Sequence, residues 1–177
     1  MFSKLILLLV APAVFGIKLQ LYQQGLCEQV NLGRPFFEMD RFLGEWVEHY
    51  RFVLPDNQED CVKNYYSAFN GTFYNLTETK TNIASGRNTS STFSVRLAEP
   101  LANPVYGKLL VNNVHEIYYV PATDYTRYAF VQACEEVNST HYNQYLWLLG
   151  RPGVNINLAE FNIQGSELLR PTIQDDR

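Results

Sequence analysis

Thiols, imidazoles and carboxylates are the groups that could do chemistry in this chain, and their spacing offers little. A thiol becomes a nucleophile when a nearby cation lowers its pKa. The cation nearest to Cys61 in sequence is Lys63, two residues on and therefore on the same face of a strand. One lysine is thin support for catalysis. His49, His115 and His141 show no ligand spacing with cysteines or carboxylates, so no metal site is expected. Nucleophile motifs such as G-x-S-x-G and phosphate-cradling loops are absent. The sequence is read as a non-enzyme without catalytic residues or a cofactor.

The N-terminal stretch "MFSKLILLLVAPAVFG" sets the compartment. Lys4 supplies a positive start, Leu5 to Val10 an apolar run, and Ala11, Ala13 and Gly16 the small residues of a cleavage region. This reads as a secretory signal peptide over residues 1–16, cut after Gly16 or, as second choice, after Ala13. The alternative is a buried N-terminal helix; a membrane span would need a longer apolar run. Residues 17–177 then form one domain, ample for a single core. Removing Lys4 takes the formal net charge from −4 to −5. Lysines and arginines are scattered, which argues against nucleic acid or an anionic membrane surface as partner. No later stretch is apolar for long enough to span a membrane, and the C-terminal "QDDR" is not a retention signal.

Sequons at Asn70, Asn75, Asn88 and Asn138 agree with a secreted, extracellular glycoprotein. In an oxidising compartment the 3 cysteines, Cys27, Cys61 and Cys134, leave one unpaired. Spacing alone does not choose the pair.

The elements that must position these residues read as strands. "GEWVEHYRF" (44–52) puts Trp46, Glu48, Tyr50 and Phe52 on one face by period-2 alternation. "CVKNYYSAF" (61–69) leads into Asn70-Gly71, a strong hairpin signal, and "TFYNLTETKT" (72–81) returns. Segments 91–99, 106–113, 115–122, 125–134 and 142–150 follow, separated by Gly, Pro, Asn and Ser. Antiparallel strands in such succession suit a sandwich or an eight-stranded up-and-down barrel. The 12 tyrosines and 11 phenylalanines favour the barrel, whose interior can hold one small ligand. After residue 150, Asn157-Leu-Ala-Glu160 resembles a helix N-cap with Glu at N3, and Gly165-Ser166 interrupts it, so a short or degenerate helix is expected.

Three segments carry a resemblance. "DRFLGEWVEHYRF" (40–52), "ATDYTRYAFVQAC" (122–134) and "LLGRP" (148–152) resemble, in order and spacing, the three sequence motifs of the lipocalin family. The lead-in "CEQVNLGRPFFEMDRFLG" (27–44) resembles that of the apolipoprotein D and Lazarillo-like group. The resemblance implies the lipocalin barrel, with Trp46 across its floor and Arg151 stacked over the ring as a plug. Gly44 would let the chain turn up tightly from that floor, and Asp124 would fix the turn at Thr123-Asp124-Tyr125.

The resemblance also implies a Cys27–Cys134 disulfide. The group's second bridge would use Cys61, but no cysteine follows Cys134. Cys61 is therefore expected as a free or intermolecular thiol, and the C-terminal region as loosely attached. The family's inward register implies a ligand-binding wall of Tyr50, Phe52, Tyr66, Tyr118, Val120, Ala129, Val131, Trp147 and Leu149. One conflict stands: a two-residue turn at Asn70-Gly71 pairs Tyr66 with Asn75 and points both inward, where no glycan fits. Asn75 is then unmodified, the turn carries a bulge, or Tyr66 faces out.

Two functions follow. The first is a secreted carrier of one small hydrophobic molecule, such as a fatty acid, sterol, retinoid, pheromone or bilin. The second is an interaction protein with a filled interior. It would bind a secreted protein or receptor through its rim loops or through Cys61.

Overall fold

The computed structural model describes residues 17–18, 22–27, 33–52, 59–112 and 116–174. Segment 1–16, read above as a signal peptide, and His115 fall outside the described residues. Two short strands, β1 (Ile17–Lys18) and β2 (Tyr22–Gln24), precede one turn of helix, α1 (Met39–Phe42). The main sheet then runs β3 (Gly44–Phe52), β4 (Glu59–Asn70), β5 (Phe73–Asn82), β6 (Asn88–Leu97), β7 (Lys108–Val111), β8 (Glu116–Thr123), β9 (Tyr128–Asn138) and β10 (His141–Gly150). Consecutive strands pair antiparallel, and β10 pairs back onto β3, so the eight strands close on themselves. Closure leaves no edge among them. The expected up-and-down barrel is therefore what the chain forms.

The alternation of buried and half-buried residues follows from strand geometry, in which side chains point to opposite faces in turn. Three clusters result. The largest fills the closed end of the barrel with Phe37, Phe42, Trp46, Leu76, Val95, Leu109, Val120, Ala129 and Leu149 among others. A second lies outside the wall, where Phe130, Leu146 and Leu148 pack against Ile156, Ile163 and Leu169 of the C-terminal segment. A third surrounds the disulfide, with Tyr119 and Tyr142.

The C-terminal segment carries only 3-10 turns, at Leu158–Glu160 and Ser166–Leu168, with β11 (Ile163–Gln164) and β12 (Leu169–Pro171) beside them. Asn157 caps the first turn by accepting from the Ala159 N–H at 3.0 Å. The short or degenerate helix expected there takes this form.

The tail is not loose, contrary to the sequence-based expectation. β3 pairs with β4 only over Gly44–Val47, and farther along the strand β12 takes the place of β4 against Tyr50–Phe52. The tail bonds to both sides of the gap. The Thr172 N–H donates to His49 O and the Cys61 N–H donates to Ile173 O, each at 2.8 Å. Arg170 reaches Asp60 at 3.3 Å and the Glu59 carbonyl at 3.2 Å. At the junction where the resembled group would carry its second bridge, and where this chain has no second cysteine, a backbone hydrogen bond and an ion pair hold the tail instead.

Candidate ligand site

The closed end is built around Trp46. Gly44 begins β3 at φ +99°, a conformation that favours glycine, and a Cβ there would crowd an Arg151 nitrogen at 3.1 Å. Trp46 is fully buried and its indole N–H donates to Phe42 O at 2.8 Å, which ties the ring to α1. The Arg151 guanidinium carbon stands 3.7 Å from the ring centroid. Its nitrogens donate to the carbonyls of Tyr125, Glu45 and Arg41 at 3.0, 3.1 and 3.0 Å. Asp124 secures the neighbouring turn: its Oδ1 accepts from the N–H groups of Thr126, Arg127 and Tyr128 at 3.0, 2.7 and 3.0 Å.

Above this packed end the interior opens into a cavity of about 300 Å³. Leu76, Phe93, Tyr118, Tyr145 and Trp147 line it, but so do Glu48, Arg51, Glu59, Glu78 and Lys80. At its inner end lies a nook of about 30 Å³ walled by Glu48, Asn64, Tyr66, Glu78, Tyr118, Val131, Trp147 and Leu149. The Tyr118 and Trp147 rings are 5.7 Å apart, and Tyr145 stacks on Trp147 at 6.3 Å.

Of the residues proposed for the wall, Tyr66, Tyr118, Val131, Trp147 and Leu149 face the nook. Val120 and Ala129 are inside but deeper, in the packed core, and line neither space. Tyr50 is a correction: it packs in the outer cluster, and Phe52 joins it there, reaching only the rim of the cavity. The reason is a bulge. Leu149 pairs with Glu48 but Leu148 pairs with Tyr50, so His49 is an extra residue on β3. One inserted residue reverses the facing of everything after it. Glu48 stays inward with Trp46, Arg51 turns in, and Tyr50 and Phe52 turn out.

A second irregularity resolves the conflict over Asn75. Register shifts between Ala68 and Asn70, so Tyr66 pairs with Leu76 and Asn75 with Ser67. Tyr66 faces in and Asn75 faces out. Asn70, Asn88 and Asn138 are exposed at strand ends.

The charged members of the wall were not foreseen, although Glu48 shares Trp46's face in simple alternation, and Glu78 and Lys80 share Leu76's. Glu48 is 1% exposed. Its Oε1 accepts from Arg51 Nε and, at 2.7 Å, from the Thr172 hydroxyl of the tail. Burial pushes this carboxyl above the usual range, against the pull of Arg51 and Thr172. Lys80 pairs with Glu59 at 2.9 Å and Glu78 at 3.4 Å. Burial alone would lower this ammonium, but the two carboxylates win and raise it.

Cys27 and Cys134 form a disulfide with 5.7 Å between their Cα atoms. It pins the N-terminal segment to β9. Cys61 forms no disulfide within the chain. It stands at the start of β4 with φ +52°, on a groove lined by Lys63, Lys80 and residues 79–81 and 88–90. Among the described residues no group of three or more His, Cys, Asp or Glu could hold a metal ion. No helix among them is long and apolar enough to cross a membrane.

Comparison with known proteins agrees with this architecture. Insecticyanin from the tobacco hornworm Manduca sexta superposes with a TM-score of 0.70 at 17% identity, covering 88% of this chain and 90% of that one. The fold is that of a lipocalin. Lobster H1 crustacyanin (Homarus americanus) superposes at a TM-score of 0.61 and 18% identity, over 88% of this chain and 92% of the other. In sequence the chain is similar to apolipoprotein D of Oryctolagus cuniculus, 28% identical over 155 residues, or 82% of this chain and 78% of that protein. No protein-family model matches the chain.

Proposed function

We propose that this lipocalin is a secreted, non-enzymatic carrier that holds one small, predominantly apolar molecule in the mouth half of its barrel. The observation that carries the reading is the cavity of about 300 Å³, bounded by Leu76, Phe93, Tyr118, Tyr145 and Trp147. Its size falls at the lower end of small-molecule sites and its aromatics match their usual lining, while Glu48, Arg51, Glu59, Glu78 and Lys80 make this wall more charged than most. Residues 1–16 are read as a signal peptide removed on export, and the outward sequon asparagines as glycan acceptors. Trp46 and Arg151 then serve as the floor beneath the ligand rather than as part of its site.

The test uses the mature protein from a eukaryotic secretion host. Native mass spectrometry should show a stoichiometric small-molecule adduct that disappears on organic extraction. Re-addition of the extract should quench Trp147 emission, because that indole borders the cavity while Trp46 is sealed beneath the floor. An empty protein that fails to respond to any lipid in a panel would sink the carrier reading.

A second reading keeps Cys61 in view. Its position on a groove distinct from the cavity lining suits a bridge to another secreted protein. A disulfide-linked species lost in Cys61→Ser would support it.

A further inference from the structure

The nook at the inner end of the cavity is lined by two carboxylates and no cationic side chain. Glu48 and Glu78 both face it, together with Asn64 and Tyr66, whereas Arg51 and Lys80 line only the wider space above. Tyr66 is 2% exposed, and its hydroxyl has no hydrogen-bond partner among the described residues, although its ring lies edge-on to Phe42 at 5.0 Å. The Glu48 Oε2 is equally unserved, since Arg51 and Thr172 both donate to Oε1. Neither atom is sealed in protein, since among the described residues Gln174 Oε1 is the buried side-chain atom without a partner; both stay open to a donor that enters the nook, and a largely buried carboxylate beside another gains most from one. Burial and the nearby Glu78 raise Glu48 above its usual range.

On the carrier reading above, we propose that the ligand bears a protonated primary amine, seated in the nook with its apolar body in the wider cavity. A nook of about 30 Å³ has room for one group the size of water, which an ammonium is. Its three N–H donors match Glu48 Oε2, the Glu78 oxygen that Lys80 does not engage and the Tyr66 hydroxyl. The Tyr118 and Trp147 rings, 5.7 Å apart, both border the nook and offer aromatic surface to a cation there. An anionic head is disfavoured by the same geometry. Arg51 is engaged by Glu48, and Lys80 by Glu59 and Glu78, so a carboxylate would have to displace one of these pairs.

The experiment titrates the full mature chain, stripped of bound lipid, with decylamine, decanol and decanoic acid, which share one alkyl chain. Trp147 quenching is read and calorimetry gives the constants. Decylamine should bind at least roughly tenfold more tightly than decanoic acid at neutral pH, with decanol between them. Glu78→Gln should erase most of the preference of decylamine over decanol, read as the ratio of their two constants. Tyr66→Phe, which keeps the ring and its packing, should weaken decylamine selectively and serves if the Glu78 variant fails to fold. Decanol or decanoic acid binding as tightly as decylamine would overturn the amine assignment and leave the carrier intact. Failure of all three to bind would remove both.

Discussion

Replacing Arg151 by methionine keeps the apolar stem and removes the guanidinium from the barrel floor. That guanidinium stands 3.7 Å from the centroid of the Trp46 ring, and a cation over a desolvated indole is worth about 1–2 kcal/mol. The side chain also donates to three carbonyls, two of them half-buried and that of Arg41 exposed. Bonds from a charged donor reach roughly 1.5–3 kcal/mol each when buried, but water can serve these acceptors in part, so together they add about 1–2 kcal/mol. The expected loss is about 3 kcal/mol, or a Tm lower by roughly 6–12 °C for a chain of this size. Guanidinium unfolding with the disulfide intact, followed by far-UV circular dichroism, measures it. The near-UV signal of Trp46 should weaken as the ring loses its lid. Arg151→Lys should recover only part of the loss, because an ammonium cannot reach all three carbonyls. A change below about 0.5 kcal/mol, the range of an inert surface substitution, would refute the reasoning and leave the floor to the packing of Phe42 and Trp46 alone.

Two further outcomes follow from the same structure. Asp124→Ala strips the acceptor from three backbone N–H groups at the turn before β9. It should cost about 1–2 kcal/mol by chemical denaturation, with Asp124→Asn restoring part; an unchanged midpoint would show that the backbone holds the turn unaided. Burial holds the His49 imidazole below its ordinary 6.5, so the unfolded chain takes up this proton first and stability falls as pH drops through 6.5. His49→Phe should flatten that slope in a pH series of unfolding midpoints, and an identical slope in both proteins would assign it to other groups.

Asp124 and His49 act through local geometry that is visible in the sequence to different degrees. Asp124 sits in a Thr-Asp-Tyr turn whose chemistry is local, and its role was legible from residue type and position. His49 was legible only as an imidazole without metal-ligand spacing. Its place as the inserted residue of a bulge, packed against Gly150, depends on β10. The disulfide lay between these extremes: residue types restricted it to three cysteines, the family resemblance indicated Cys27 with Cys134, and the folded distance between them agrees.

The sequence by itself determined the order of the strands and the aromatic content of the wall, and its resemblance to a family pointed to the glycine and tryptophan at the floor and the arginine that covers them. Each depends on periodicity, on a residue that alone tolerates a conformation, or on a short motif. Tertiary structure decided which way the side chains of β3 face beyond His49, because a single unpaired residue reverses a strand and leaves no mark in the alternation pattern. It also decided the register of β4 against β5, and hence that Tyr66 faces in while Asn75 faces out. Only the folded chain brings Glu48, Glu78 and Tyr66, from three different strands, around one nook. The tail could not be judged in isolation either. Its hold on the barrel comes from partners more than 100 residues away in the chain, at Asp60 and Glu48, and such bonds exist only once the barrel has closed and left β3 and β4 parted at its mouth.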